Sequence, residues 1–465
     1  MSAWFSELRA REYARLDQSG HVYLDYTGSG LYADSQVQRH AALLHDQVLG
    51  NPHSLSPTSE ASTHHVEEAR RRVLRFFRAD PSEYAVIFTS NATTAAKLVG
   101  EAYPFAPGST FVLTADNHNS VNGIREFARA RGAAISYLPL DEELRASALP
   151  EQLPRAAAPG PHLFAYPAQS NFTGVKHPLE WVALAHERGY DVLLDAAAFV
   201  PTNPLDLSAL APEFVIISFY KMFGYPTGVG ALLARLATLE RLRRPWFAGG
   251  TVRFASAQNQ LHLLKDNAEA WEDGTPDFLA IAAVPFGLDL LESTGMNEVR
   301  AHVLALTGTL LLELGALRHD NGAPMVRIYG PAGMDMRGAT VAFNLLDPDG
   351  RLEDSDTVQA AATAANISLR SGCFCNPGAA EYAFHYSGPD SRHCLQAIPA
   401  AEFSLQRFAE CMGGVPVGAL RASLGMPTNA ADIARLIELL RSFRNRSADE
   451  GGGANAGCER TSRTA

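Results

Sequence analysis

The sequence predicts an α/β protein: a large domain with a mostly parallel seven-stranded sheet covered by helices, followed by a smaller α+β domain. Three observations predict it. Between about 84 and 234, seven β-branched or aromatic runs (YAVIFTS, TFVLTA, AAISYL, HLFAYP, DVLLD, FVIISF and VGALLA) alternate with helical patterns, and such alternation builds a sheet with helices on its faces. Past about 291 the pattern changes. The apolar stretches AIAAVPFGLDLLES and VRAHVLALTGTLLLEL lead into the strands MVRIYG and ATVAFNLL, separated by turn residues. A chain of 465 residues, 46% hydrophobic, can bury more than one core.

The first segment, MSAWFSELRAREYARLD, is amphipathic and polar-rich and lacks the apolar stretch of a secretory signal. Residues 1–20 are expected to pack near the small domain, with the large domain at 21–290 and the small one at 291–446. THHVEEARRRVLRFF (63–77) places Val66, Ala69, Val73, Phe76 and Phe77 on one helical face and should pack on the body of the fold. DIARLIELLRSF is a final amphipathic helix. The tail 447–465 is too small and polar to offset its ordering entropy and is expected to be disordered.

Fifty acidic against 39 basic residues give a net charge of −11, which leaves no cation excess for a phosphate backbone and argues against a nucleic-acid partner. No run is read as bilayer-spanning, so neither membrane association nor any location but the cytoplasm is expected. The five cysteines (Cys373, Cys375, Cys394, Cys411, Cys458) are too few for a disulfide framework and are read for reactivity instead.

Six segments carry chemistry. In SFYKMFGYPTGVG, Lys221 follows the strand FVIISF, at the strand C-termini where open sheets bind ligands. Burial there lowers an amine's pKa and supplies a neutral nucleophile for an aldehyde. Only four lysines occur, and Lys97, Lys176 and Lys265 lie in a helix, a turn and a polar stretch. In SNATTAAK, small residues and hydroxyls at a strand-to-helix turn can receive an anion, although a Thr-Thr pair also serves as a plain N-cap. Asp195 closes DVLLD, where a carboxylate can keep a pyridinium nitrogen protonated or simply face water. His118, in a loop after another strand, can stack on a planar group and exchange protons, or be an ordinary surface histidine. The most specific segment is RSGCFCNPG: a Cys-x-Cys pair in a Gly/Pro-flanked loop beside Arg370 suits a thiolate nucleophile. Zinc is the rival, but no second matched pair of cysteines exists, and no metal site is assigned. Arg421, in GALRASLG, can clamp a carboxylate bidentately or form a surface salt bridge.

In this order the segments resemble the class V, fold-type I pyridoxal-phosphate enzymes, and within them the cysteine desulfurases. SFYKMFGYPTGVGALL, RSGCFCNPGA, QSNFTGVKHPL, WEDGTPDF and GATVAFNLLDPDG are most similar to the desulfurase domain of molybdenum-cofactor sulfurases, over about residues 20–445. The resemblance implies pyridoxal 5'-phosphate as cofactor, with Lys221 as the lysine that holds it, Asp195 as partner of the ring nitrogen and His118 as the stacked proton relay. It implies that Ala92, Thr93, Thr94, Ser218 and Tyr220 contact the cofactor, its phosphate above all. Asn171 would meet the cofactor hydroxyl or the substrate carboxylate, and Thr275 the phosphate of a neighbouring protomer, which makes a homodimer with shared sites. Cys375 aligns with the persulfide cysteine and Arg421 with the carboxylate-binding arginine; Arg370 would assist substrate binding. Two positions depart from the wider desulfurase pattern: Ala198 stands where a glutamine is usual, and Tyr220 precedes the lysine in place of histidine.

The expected function is conversion of L-cysteine to L-alanine with persulfide on Cys375, for transfer to a protein or cofactor acceptor, by the desulfurase half of such a sulfurase without its cofactor-binding C-terminal domain. The alternatives are a C–S lyase, epimerase or aminotransferase acting on a cysteine-like amino acid, or a scaffold that has kept the fold without the chemistry.

Overall fold

The computed structural model describes residues 3–146, 152–156, 160–386 and 388–448; most of the predicted tail lies outside them. The seven runs form the seven strands of one sheet: β1 (Tyr84–Thr89), β2 (Thr110–Thr114), β3 (Ala134–Leu138), β4 (Leu163–Pro167), β5 (Asp191–Asp195), β6 (Phe214–Ser218) and β7 (Gly230–Arg235), in spatial order β1-β7-β6-β5-β4-β2-β3. Only β7 runs against its neighbours. β4 and β6 are buried along their whole length, which is why their sequences are continuous apolar runs rather than alternating ones. β3, at the edge, is largely exposed.

Each face of the sheet closes a core. Val86, Val215 and Leu233 join one that continues through Leu310, Val341 and Leu436 of the C-terminal part. Ile87, Phe111, Leu163 and Ile216 face the other way and pack with Val99 of the helix Ala92–Ala102. Successive residues of a strand therefore serve opposite cores. The C-terminal part adds a four-stranded antiparallel sheet of β8 (Val326–Tyr329), β9 (Thr340–Leu345), β10 (Arg370–Gly372) and β11 (Ala419–Ser423), in order β8-β9-β11-β10.

The N-terminal segment reaches this second sheet. In helix Ala3–Glu12, Arg9 forms a buried ion pair with Asp432 at 2.6 Å, and Phe5 stacks on His302. Val22–Tyr23 pairs in parallel with Ile367–Ser368, and the Ser423 N–H donates to Leu24 O at 2.7 Å. Asp25 is thereby delivered beside β11.

The structure revises four readings. The helix read from 63 starts at Pro57, because Ser56 accepts the Ser59 N–H and proline suits the first helical position. Residues 290 and 291 fall inside helix Val284–Thr294, and the chain breaks instead at Gly295, before helix Met296–Ala316. That second helix is long and apolar enough to cross a membrane by length and composition, contrary to the sequence reading. Here its Val299, Val303, Leu306, Leu310 and Leu314 are buried in the core. Finally, Cys394 and Cys411, read as free, form a disulfide linking helices Pro389–Ala397 and Leu405–Cys411. Two short helices that pack together join cysteines that linear spacing left unmatched.

Candidate active site

β1, β2, β4, β5 and β6 all end at one edge of the large sheet, and each is followed by a residue of interest. After β6 the chain makes one helical turn, Phe219–Phe223, closed by Gly224 at φ +78°. A Cβ at Gly224 would lie 2.2 Å from Tyr32 N and 2.3 Å from Leu31 C, so only glycine fits. This turn sets Lys221 over the strand ends. Lys221 is half-buried, and burial lowers its pKa against the opposing pull of Asp195.

Asp195 is the last residue of β5 and is 8% exposed. One carboxylate oxygen accepts the Ala197 N–H at 3.0 Å. Burial raises its pKa, and its main relief comes from that N–H and from Lys221. A buried carboxylate with no ion pair within 4 Å among the described residues is suited to a cationic ring N–H.

His118 caps the short turn that follows β2. Its Nδ1 lies 3.1 Å from the Ser120 N–H, which it accepts, and 2.9 Å from Ser120 Oγ. Burial first, then the charges of Lys221 and Arg421, lower its pKa to about 4, so the imidazole is neutral at pH 7.

After β1, Asn91 caps the helix Ala92–Ala102, accepting the Thr94 N–H at 3.0 Å. The Ala92 N–H donates to Ser218 Oγ at 2.9 Å. The Thr93 hydroxyl meets Ser120 Oγ at 2.7 Å, and Thr94 meets Ser90 at the same distance. Gly230 underlies this turn: a Cβ there would come within 2.6 Å of Asn91 Cα. Exposed hydroxyls around a helix N-terminus, with Ser218 behind, form a cradle for a phosphate.

The second sheet supplies the other wall. Arg421, on β11, is 2% exposed and donates from Nη1 to Asn171 O at 3.0 Å and from Nη2 to Asp25 Oδ1 at 2.8 Å. Its guanidinium lies over Phe374, and its Nε–H has no partner among the described residues. Arg370, on β10, holds the other oxygen of Asp25 through Nε at 2.9 Å and Nη2 at 2.6 Å, and its side chain is half exposed.

The cysteine loop is pinned at three points. Asn171 Nδ2 donates to Phe374 O at 2.7 Å, the Asn119 N–H to Cys375 O at 2.8 Å, and Asn376 Nδ2 to Asp116 O at 2.7 Å. Phe374 and Cys375 both have φ +55°, a region that costs a non-glycine residue roughly 1–2 kcal/mol. Cys375 is exposed, and its charge, with those of Asp195, Arg421 and Arg370, acts on Lys221.

The structure therefore gathers Lys221, Asp195, His118, Asn171, Ser218, Tyr220, Arg370, Cys375, Arg421 and the 92–94 turn around one edge. Thr275 stands outside. Its hydroxyl accepts from Asn51 Nδ2 at 3.3 Å and from no member of the cluster among the described residues. Ala198 lines a hollow shared with Gln169 and Lys221. Sequence reasoning missed Asp25, Asn91 and Asn376. Asn91 and Asn376 carried a local signal, an asparagine immediately before a helix. Asp25 carried none, since its two arginines are 345 and 396 residues away.

The residues present fit pyridoxal phosphate: an amine of lowered pKa, a buried carboxylate lacking a cation, a neutral histidine and a hydroxyl-lined helix start. Comparison with known proteins agrees. The chain is 38% identical to a molybdenum cofactor sulfurase of Bos taurus over 464 residues, covering 94% of this chain and 52% of that protein. It spans about half the length of the curated relatives it matches. Among solved structures it is similar to the apo cysteine desulfurase of Thermococcus onnurineus NA1, with TM-score 0.76, 22% identity and coverage of 94% and 97% of the two chains. It is similar also to the cysteine desulfurase CsdA of Escherichia coli, with TM-score 0.72, 20% identity and coverage of 96% and 98%. These two likenesses speak to the fold, that of the fold-type I enzymes. The model of the aminotransferase class-V family matches residues 22–436, nearly the whole chain, and the chain belongs to that family.

Proposed function

We propose that the chain is a pyridoxal-phosphate-dependent cysteine desulfurase, which converts L-cysteine to L-alanine and leaves the sulfur as a persulfide on Cys375. The observation that carries this reading is the desolvated Lys221 amine, electrostatically coupled both to buried Asp195 and to exposed Cys375. Bound there, pyridoxal phosphate supplies an electron sink.

The chain's own groups do the rest. Lys221, deprotonated at low cost, would hold the cofactor by its aldehyde carbon, and its free amine is placed to take the substrate Cα proton. Asp195 supplies the negative charge that keeps the ring nitrogen protonated. Neutral His118 holds its Nδ1 toward Ser120, leaving Nε2 to pass a proton. Arg421 receives the substrate carboxylate, and its unpartnered Nε–H offers a donor for it. The Cys375 thiolate then attacks the substrate Sγ. An S–S bond forms, the Cβ–S bond breaks with its electron pair going to carbon, and a proton on that carbon completes alanine. The exposed loop suits onward transfer of the outer sulfur to an acceptor.

Mass spectrometry of the cofactor-loaded protein after addition of L-cysteine tests this. The expected result is one added sulfur on the peptide carrying Cys375, with alanine in solution. Unchanged peptide mass and no alanine would discard the reading.

We also propose a homodimer with shared sites. Thr275 is outside its own cluster, and the hairpin Val252–Ser256/Leu261–Leu264 exposes Phe254 (64%), Leu261 (67%) and Leu263 (58%), an apolar patch that a monomer would leave in water. Sedimentation should give twice the 50.1 kDa chain mass. Phe254→Asp should shift it toward one chain and lower cofactor affinity together.

A further inference from the structure

The two arginines of the site are not independent, and their shared partner is the buried acid Asp25. Asp25 is 7% exposed. Its Oδ1 accepts from Arg421 and its Oδ2 twice from Arg370, so one carboxylate fixes two guanidiniums on opposite edges. The backbone holds it in place. The Gly28 and Ser29 N–H groups donate to Asp25 O, and Gly28 leaves the room: a Cβ there would lie 2.6 Å from Asp25 Oδ2 and 2.9 Å from Arg370 Nη2. Strand β11, two residues past Arg421, bonds to the chain on either side of Asp25 through Ser423.

We propose that Asp25 sets the charge of the substrate that this site accepts, making it select an amino acid with a single carboxylate and a neutral side chain. The argument is charge bookkeeping in a site of low dielectric. Arg421 and Arg370 bring two positive charges and Asp25 one negative. The remaining single positive charge matches one α-carboxylate. Arg421 offers the buried Nε–H to it, while Arg370 is half exposed on the strand that leads to Cys375. A second acidic group on the substrate, such as a sulfinate, meets an Arg370 already neutralised by Asp25 and a buried carboxylate of like charge behind it, and like-charge juxtaposition in a desolvated site is costly. Cysteine is thereby favoured over cysteine sulfinate. Asp25 is a positioning and specificity residue: it acts through the two arginines and transfers no proton.

The inference rests on the desulfurase reading for its choice of amino acids, but it is tested by binding as well as turnover. Wild-type, Asp25→Asn and Asp25→Glu proteins, loaded with cofactor, are titrated with L-cysteine and with L-cysteine sulfinate, following the cofactor absorbance for affinity and alanine release for kcat/KM. In Asp25→Asn the sulfinate-to-cysteine ratio should rise by about tenfold or more, with the cysteine loss appearing mainly in KM. Asp25→Glu, which keeps the charge, should hold the ratio near the wild-type value even if it slows both reactions. A ratio that moves equally in both variants, or in neither, overturns the proposal. If Asp25→Asn does not fold, Arg370→Gln on the exposed side of the same pair supplies the second arm. Removing a positive charge must lower the ratio, and an unchanged ratio overturns the proposal equally. Wild-type protein that binds both amino acids with a spectral change but releases no alanine defeats the desulfurase reading alone, because the binding ratio still decides the role of Asp25.

Discussion

Lys221→Ala should abolish the cofactor's covalent absorbance band and lower alanine release by roughly 10²–10⁴-fold, the range expected when an essential proton-transfer group is lost. The size follows from the wall around the amine. Burial there disfavours the charged form, and the countervailing carboxylate, Asp195, is engaged by a single backbone N–H. Another residue cannot take over, since Lys97, Lys176 and Lys265 are tied to a helix, to the 175–176 bridge region and to Glu269. Far-UV circular dichroism should stay unchanged: Gly224 fixes the turn that carries Lys221, not the side chain itself, and removing a desolvated amine relieves a burial cost. Lys221→Arg is the sharper control. A guanidinium stays protonated and cannot form the bond, so it too should leave the protein colourless, and borohydride should fix no adduct in either variant. A coloured, active Lys221→Ala protein would refute the assignment.

The order of the elements was readable because most of the seven strands are buried and so stand out as apolar runs between helical patterns, the exposed edge strand β3 excepted. Lys221, Asp195 and His118 could be placed for the same reason, as each sits where such a run stops. Two kinds of information were not local. Asp25 becomes meaningful only when residues 345 and 396 positions later arrive beside it, and nothing in YLDYTG announces that. The disulfide depends likewise on the packing together of two short helices. The helix Met296–Ala316 failed for a different reason. Length and apolarity describe a core helix and a membrane-crossing one equally well, and only the partners buried against Val303 and Leu310 decide between them. Thr275 marks a further limit: its distance from the cluster in one chain is what a role in a second copy requires, and no property of one strand or helix encodes that.

Cys375→Ala should leave the cofactor band intact while persulfide vanishes and alanine release falls by several orders of magnitude, as loss of a nucleophile does in other covalent mechanisms. Alanine is the suitable replacement because the position has φ +55°. Its Cβ keeps the backbone as strained as the native residue does, whereas glycine would relax the loop and confound loss of the thiol with loss of its placement. The pins at Phe374 O and Cys375 O use only the loop's backbone carbonyls, not the Cys375 side chain, and survive the change. Cys373 is the internal control. It lies two residues away, less exposed than Cys375, and its charge acts on Tyr386; it does not figure among the charges acting on Lys221. Cys373→Ala should therefore keep the persulfide and most of the rate. Sulfur appearing on Cys373 in the Cys375→Ala protein, at a rate near wild type, would show that the loop delivers either thiol, and the strain at 374–375 would then need another explanation. A strained backbone held by three side-chain and main-chain donors is costly to maintain for a residue that merely packs, and is reasonable for one whose sulfur must stand exposed yet within electrostatic reach of Lys221.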